Sequence, residues 1–111
     1  MSAKRKTERA PLDIYVNKYV SGVPYMARAR DIGPQGVRLS KLIEPEQSGR
    51  RVGLQFQLPG SEEVIYAEGE VVRDWMETER REGHGVRFTL LTERHRKMIQ
   101  AYVERFASTV Q

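Results

Sequence analysis

Apolar and polar residues alternate along most of this chain, and the alternation comes in short runs. Residues 12–17, LDIYVN, put Leu12, Ile14 and Val16 on one face, the period of a half-buried strand. Residues 23–32, VPYMARARDI, set Val23, Tyr25, Ala27 and Ala29 against Met26, Arg28 and Arg30, with Pro24 marking a strand start or edge. GVRLSKL follows with Val37 and Leu39, then RVGLQFQL with Val52, Leu54, Phe56 and Leu58, the cleanest period of two in the sequence. VIYAEGEVVR turns Val64, Tyr66, Glu68, Glu70 and Val72 to the exposed face, and GHGVRFTL brings Val86, Phe88 and Leu90 inward. GPQG, EPEQSGR and PGSEE read as turns and polar connections between the runs, and the charged residues 74–83 as an extended hairpin end.

After Thr92, a suitable N-cap, the period changes. Met98, Ile99, Tyr102, Val103 and Phe106 recur at helical spacing and form one apolar stripe. The pattern predicts six short strands followed by one amphipathic helix, hence an all-β antiparallel barrel or sandwich with a C-terminal helix. The helix stripe must bury itself against the barrel's mouth or side, or against a partner. The boundaries predicted are a basic leader over 1–11, strands over 12–91 and the helix over 92–107, all within one domain of 111 residues.

Charge changes this picture at one end. Residues 1–9 carry Lys4, Arg5, Lys6 and Arg9 against Glu8, which is +3 of the chain's net +4, so the strands and helix together supply only +1. An anionic ligand at the leader is one reading, and a solvated tail is the other. The absence of cysteine removes disulfides, thiolate catalysis and cysteine zinc sites and suits a reducing cytoplasm. No apolar run approaches the roughly 20 residues that span a bilayer, so no membrane insertion is expected.

Catalysis finds little support. His84 lies between glycines at a strand start and His95 in the first helical turn, neither with an acidic or hydroxyl partner at a recognisable spacing. Structural or solvent-facing roles suit both better. Glu44, Glu46, Glu62, Glu63, Glu77, Glu79 and Glu82 fall in turns, where carboxylates are usually just solvated. There is no phosphate-binding loop motif and no nucleophile elbow, so the chain reads as a non-enzyme with no cofactor and no metal site. Trp75 can stack on a base or cap the apolar end of the barrel, and Arg28 and Arg30 either widen a positive face beside Asp31 or are simply solvated.

Two short motifs carry the functional reading. Arg5 and Arg9 stand four apart in R-K-T-E-R, and each guanidinium can meet a phosphate or a guanine O6/N7 edge through two donors. D-I-G-P-Q-G, Asp31 to Gly36, closes the second strand with a carboxylate able to accept from guanine N1 and N2, and with glycines that let backbone approach a flat ring. RxxxR followed at this distance by DxSxxG resembles the PilZ domain, the bacterial cyclic di-GMP receptor. Arg9-Ala-Pro-Leu, Asp31-Ile, Gly36-Val, GEVVR at 69–73, GVRF at 85–88 and the helix with Tyr102 and Phe106 extend the resemblance over essentially the whole chain. Gly33 stands where the motif has serine.

The resemblance implies a six-stranded antiparallel PilZ-type barrel. Arg5 and Arg9 would contact phosphates and guanine Hoogsteen edges, Asp31 and the loop through Gly33 to Gly36 would hold a guanine from another side, and Lys4 would help hold a second stacked ligand molecule. It implies a stand-alone cytoplasmic receptor or adaptor that binds cyclic di-GMP, orders its arginine segment on the ligand and acts on an unidentified protein partner, with motility as an expected setting. The alternative is a degenerate adaptor that has lost the nucleotide, for which Gly33 speaks. A basic barrel for single-stranded nucleic acid ranks behind both, because the aromatic residues are few and several face the core or lie on the helix.

Overall fold

The computed structural model describes residues 9–41, 51–77 and 81–107. Six antiparallel strands close into a barrel in the order β1-β2-β3-β6-β5-β4. They are β1 Ala10–Val20, β2 Val23–Gly33, β3 Gly36–Lys41, β4 Arg51–Phe56, β5 Ile65–Glu77 and β6 Arg81–Leu90, and a helix, α1 Glu93–Phe106, follows. Strand β1 starts at Ala10, ahead of the alternating run, and closes the barrel by pairing Asn17, Lys18 and Tyr19 with Gln55, Leu54 and Gly53 of β4. The β1–β2 connection is a two-residue turn with Ser21 and Gly22 at φ 53° and 80°, the hand that matches strand twist.

The inward positions make one core. Leu12, Val16, Ala27, Ala29, Ile32, Val37, Leu39, Val52, Leu54, Phe56, Leu58, Ile65, Ala67, Val71, Val86 and Phe88 are buried, joined by Ile99 and Val103 of α1. The helix lies against β1 and β2. Thr92 caps it by accepting from the His95 amide at 3.1 Å.

Three positions depart from strict alternation. Leu90, expected inward, is 48% exposed. Between β5 and β6 the register slips: Glu68 pairs with Leu90 but Gly69 with Phe88, so Thr89 is an extra residue and Leu90 is turned out. Phe106 ends the helix stripe 49% exposed, and Val23 lies beyond the core at the hairpin turn, 47% exposed. No helix among the described residues is long and apolar enough to cross a membrane.

Candidate functional site

The site begins with a second slip. Between β2 and β3, Ala29 pairs with Leu39 and Asp31 with Arg38, leaving Arg30 as the extra residue. Ala29 and Ile32 are therefore both buried while Asp31 stays at the surface, its side chain 20% exposed. Bulges commonly re-aim a side chain at a binding site in this way. Asp31 also pairs with Pro11 of β1, so Pro11, Asp31 and Arg38 form one row across three strands.

Arg9, immediately before β1, reaches into that row. Its Nε donates to Asp31 Oδ1 at 2.7 Å, and its Nη2 lies 2.6 Å from the same oxygen. Nη2 also approaches the Gly36 carbonyl at 3.5 Å. Arg38 Nη1 sits 3.5 Å from the other carboxylate oxygen, Oδ2. One carboxylate thus lies between two half-exposed guanidinium groups, and residues 22 positions apart are brought together.

The turn beside this cluster is held from behind. Gly33 and Gly36 pair across the β2–β3 hairpin, with Pro34 and Gln35 as its two loop residues. Arg96 of α1 donates to the Pro34 carbonyl at 3.3 Å, and the Phe88 amide of β6 donates to the Gln35 carbonyl at 2.9 Å. Tyr102 of α1 donates to the Pro11 carbonyl at 3.3 Å, so the helix touches both sides of the site. Gly36 is fixed by close approach: a Cβ there would sit 2.4 Å from the Val86 carbonyl oxygen of β6. Opposite Gly36 on β6 is Arg87, which pairs with Glu70 at 2.9 Å.

Of the residues the sequence singled out, Arg9, Asp31, Gly33 and Gly36 converge here, and Arg5 and Lys4 lie outside the described residues. Gly33 is buried at the mouth of the turn. Arg28 does not join the cluster. It donates to Asp13 at 2.7 Å and lies 5.1 Å from the Tyr15 ring centroid, and its hydrogen bond holds the Asp13 carboxyl below its ordinary range. The side chains of Trp75 and His84 lie outside what the structure describes. Arg38, Arg87 and Arg96 were not singled out. Outward parity next to Gly36 marks Arg38, but no pattern within the helix announces that Arg96 faces a turn 62 positions away.

A second cluster lies at the start of α1. Arg94 grips Glu63 with Nε and Nη2 at 2.8 and 2.7 Å, one on each carboxylate oxygen. His95 Nε2 adds a contact at 3.1 Å from a ring otherwise largely covered. His95 therefore has an acidic partner after all, supplied by tertiary structure rather than local spacing. The Arg94 hydrogen bonds, with His95 behind them, bring the Glu63 carboxyl down to about 2. Among the described residues no group of His, Cys, Asp and Glu could hold a metal ion.

Comparison with known proteins adds the following. The PilZ domain family model matches residues 3–105. The solved structure of Bacillus subtilis Inhibitor of motility (MotI/DgrA) superposes with a TM-score of 0.80 at 17% identity, covering 94% of this chain and 51% of that one. This chain thus spans about half the length of that relative. The PilZ domain of YcgR from Escherichia coli, solved with c-di-GMP, superposes with a TM-score of 0.66 at 12% identity, covering 94% of this chain and 92% of that domain. No curated protein sequence matches.

Proposed function

This chain belongs to the PilZ domain family, and from that premise we propose that it is a cyclic di-GMP receptor without a reaction of its own, acting through a protein partner. The observation that supports this most is the docking of Arg9 on Asp31 beside the Gly33–Gly36 turn, which unites the family's two motifs in one small surface cluster. The E. coli YcgR domain of the same fold holds c-di-GMP, and the B. subtilis relative is an inhibitor of motility, so motility control is the output we favour.

Without ligand, Arg9 is held on one oxygen of Asp31. The nucleotide offers each a better-matched partner at once. A phosphate or a guanine O6/N7 edge takes the Arg9 fork. The guanine N1–H and N2–H donors take the Asp31 carboxylate. Arg38 keeps Asp31 Oδ2 in an ionic environment during the exchange. In this reading Arg5 and Lys4 close over the ligand from the leader, Arg5 on a phosphate and Lys4 on a second stacked nucleotide. Ordering such a segment costs about 1–2 kcal/mol of backbone entropy per residue, which the charge-assisted phosphate contacts offset.

Gly33 removes one hydroxyl from the motif. A net hydrogen bond contributes about 0.5–1.5 kcal/mol, at most roughly tenfold in affinity, so the missing serine weakens binding without abolishing it. Calorimetric titration of cyclic di-GMP into the protein and into Arg5→Ala and Arg9→Ala tests the reading. Binding by the parent and marked loss in both variants is expected. No heat from the parent at high-micromolar nucleotide, with partner binding intact in both variants, overturns it in favour of a nucleotide-free adaptor.

A further inference from the structure

A proline stands beside each of the two motifs that build the site. Pro11 follows Arg9 by two residues, and Pro34 lies inside the Gly33–Gly36 turn. Neither has an amide hydrogen to give to a strand ladder. The ladder also slips at both places, between Pro11 and Ile14 where β1 pairs with β2, and between Ala29 and Asp31 where β2 pairs with β3. A slip leaves a residue unpaired and disrupts the ladder locally. Strand pairing is thus interrupted next to both segments of the site.

Both proline carbonyls are bonded by the same helix. The Tyr102 hydroxyl donates to the Pro11 carbonyl, and Arg96 Nη1 donates to the Pro34 carbonyl, each at 3.3 Å. The helix has its own seat: Ile99 and Val103 are buried in the barrel core, and Thr92 caps the first turn. At a rise of about 1.5 Å per residue, Arg96 and Tyr102 stand about 9 Å apart along the axis. One rigid element therefore carries two donors at a set spacing, one for each motif segment.

We propose that α1 positions the site, with Arg96 and Tyr102 as positioning residues that touch no ligand themselves. They fix the turn at 33–36 and the entry of β1 at one separation, so that Arg9 and the turn meet the same ligand. This rests on the nucleotide reading for its ligand, while the hold of α1 on the two segments does not depend on it. Arg96 has the larger share. Its bond to Pro34 is partly buried, and β6 secures the next residue of the turn, the Phe88 amide donating to the Gln35 carbonyl at 2.9 Å. Freeing Pro34 lets the turn shift, and with it the Gly36 carbonyl that Arg9 approaches at 3.5 Å. The Tyr102 bond is exposed, so water competes for the Pro11 carbonyl and the bond contributes less.

Two measurements on the full chain test this. The first needs no ligand: hydrogen exchange, followed by NMR, at the Phe88 amide that bonds the turn. Arg96→Met keeps an unbranched side chain on the helix and removes the donors. Exchange at Phe88 should speed up by about fivefold or more, while the amides of β4, opposite β3 in the barrel, keep their rates. Arg96→Lys restores a donor and should return the Phe88 rate most of the way. The second is calorimetry with cyclic di-GMP. Arg96→Met should weaken binding by about 3–10-fold and Tyr102→Phe by about 2-fold. Lys97→Met, which removes an exposed charge from the same helix, should leave affinity unchanged. An unchanged Phe88 rate in Arg96→Met, acceleration spread evenly over the barrel, or parental affinity in that variant overturns the proposal. A parent that takes up no nucleotide defeats the receptor reading instead, and the exchange rates then decide alone whether α1 holds the turn.

Discussion

Among the surface pairs that set an arginine on a carboxylate, two differ in what they can release. At the start of α1, Arg94 meets both oxygens of Glu63 and His95 adds a third contact. At the end of β2, Arg9 converges on a single oxygen of Asp31, and among the described residues the other oxygen has Arg38 at 3.5 Å. Bidentate geometry makes the first pair strong and directional. The second leaves donors of Arg9 and an oxygen of Asp31 underused, beside a turn whose own carbonyls are tied to α1 and β6. An ion pair as such says nothing about function. What separates a brace from the proposed binding site here is how completely each partner is already satisfied.

The largest effect that could break this distinction is on ligand affinity. Arg9→Ala removes hydrogen bonds to a charged group, each worth about 1.5–3 kcal/mol, and should weaken cyclic di-GMP binding by at least about tenfold in calorimetry. Because the pair lies at the surface and is partly exposed, unfolding in urea should shift by about 1 kcal/mol or less. Arg94→Ala should leave nucleotide affinity unchanged.

Next comes the backbone beneath the exchangeable cluster. Gly36→Ala forces a methyl against the Val86 carbonyl at 2.4 Å, and overpacking of this kind costs about 1–3 kcal/mol. A lower urea midpoint is expected with or without nucleotide, showing that this glycine serves the barrel first. Gly33→Ser restores the hydroxyl of the family motif and should tighten binding by up to about tenfold, readable in the same calorimetry.

The smallest effect is the pH response of the brace. Glu63 is lowered from its ordinary 4.5 to about 2 by Arg94 and His95. A depressed folded-state value means that its contribution is fully present above pH ~4.5 and is lost as pH falls toward 2. The stability gap between the parent and Glu63→Gln, followed by thermal melts, should therefore close progressively from pH ~4.5 downward. A gap that stays constant over that range would show that the Glu63 contacts carry no linkage.

Much of the barrel is legible in the sequence because its inner positions alternate cleanly. Val52, Leu54 and Phe56 are all buried, as their period requires. What the period does not register is a slip. The extra residue Arg30 changes side-chain parity with no glycine or proline at the slip, and Thr89 does so opposite a single glycine, Gly69 of β5, which is why Leu90 faces out. The same kind of slip sets Asp31 at the surface, so the residue was readable from its motif but its orientation was not. Arg96 and the Glu63–His95 contact were illegible for a different reason. They join segments 62 and 32 positions apart, and only tertiary packing fixes such distances.

The proposed exchange of Arg9 from Asp31 to the nucleotide can be followed atom by atom through the arginine Nε–H signals in ¹⁵N NMR. On titration with cyclic di-GMP, the Arg9 Nε–H resonance should move and saturate with the calorimetric affinity, while that of Arg94, locked on Glu63, stays in place. If nucleotide at millimolar concentration leaves the Arg9 signal where it was, or moves both arginines alike, the two clusters do not differ as argued and the receptor reading fails.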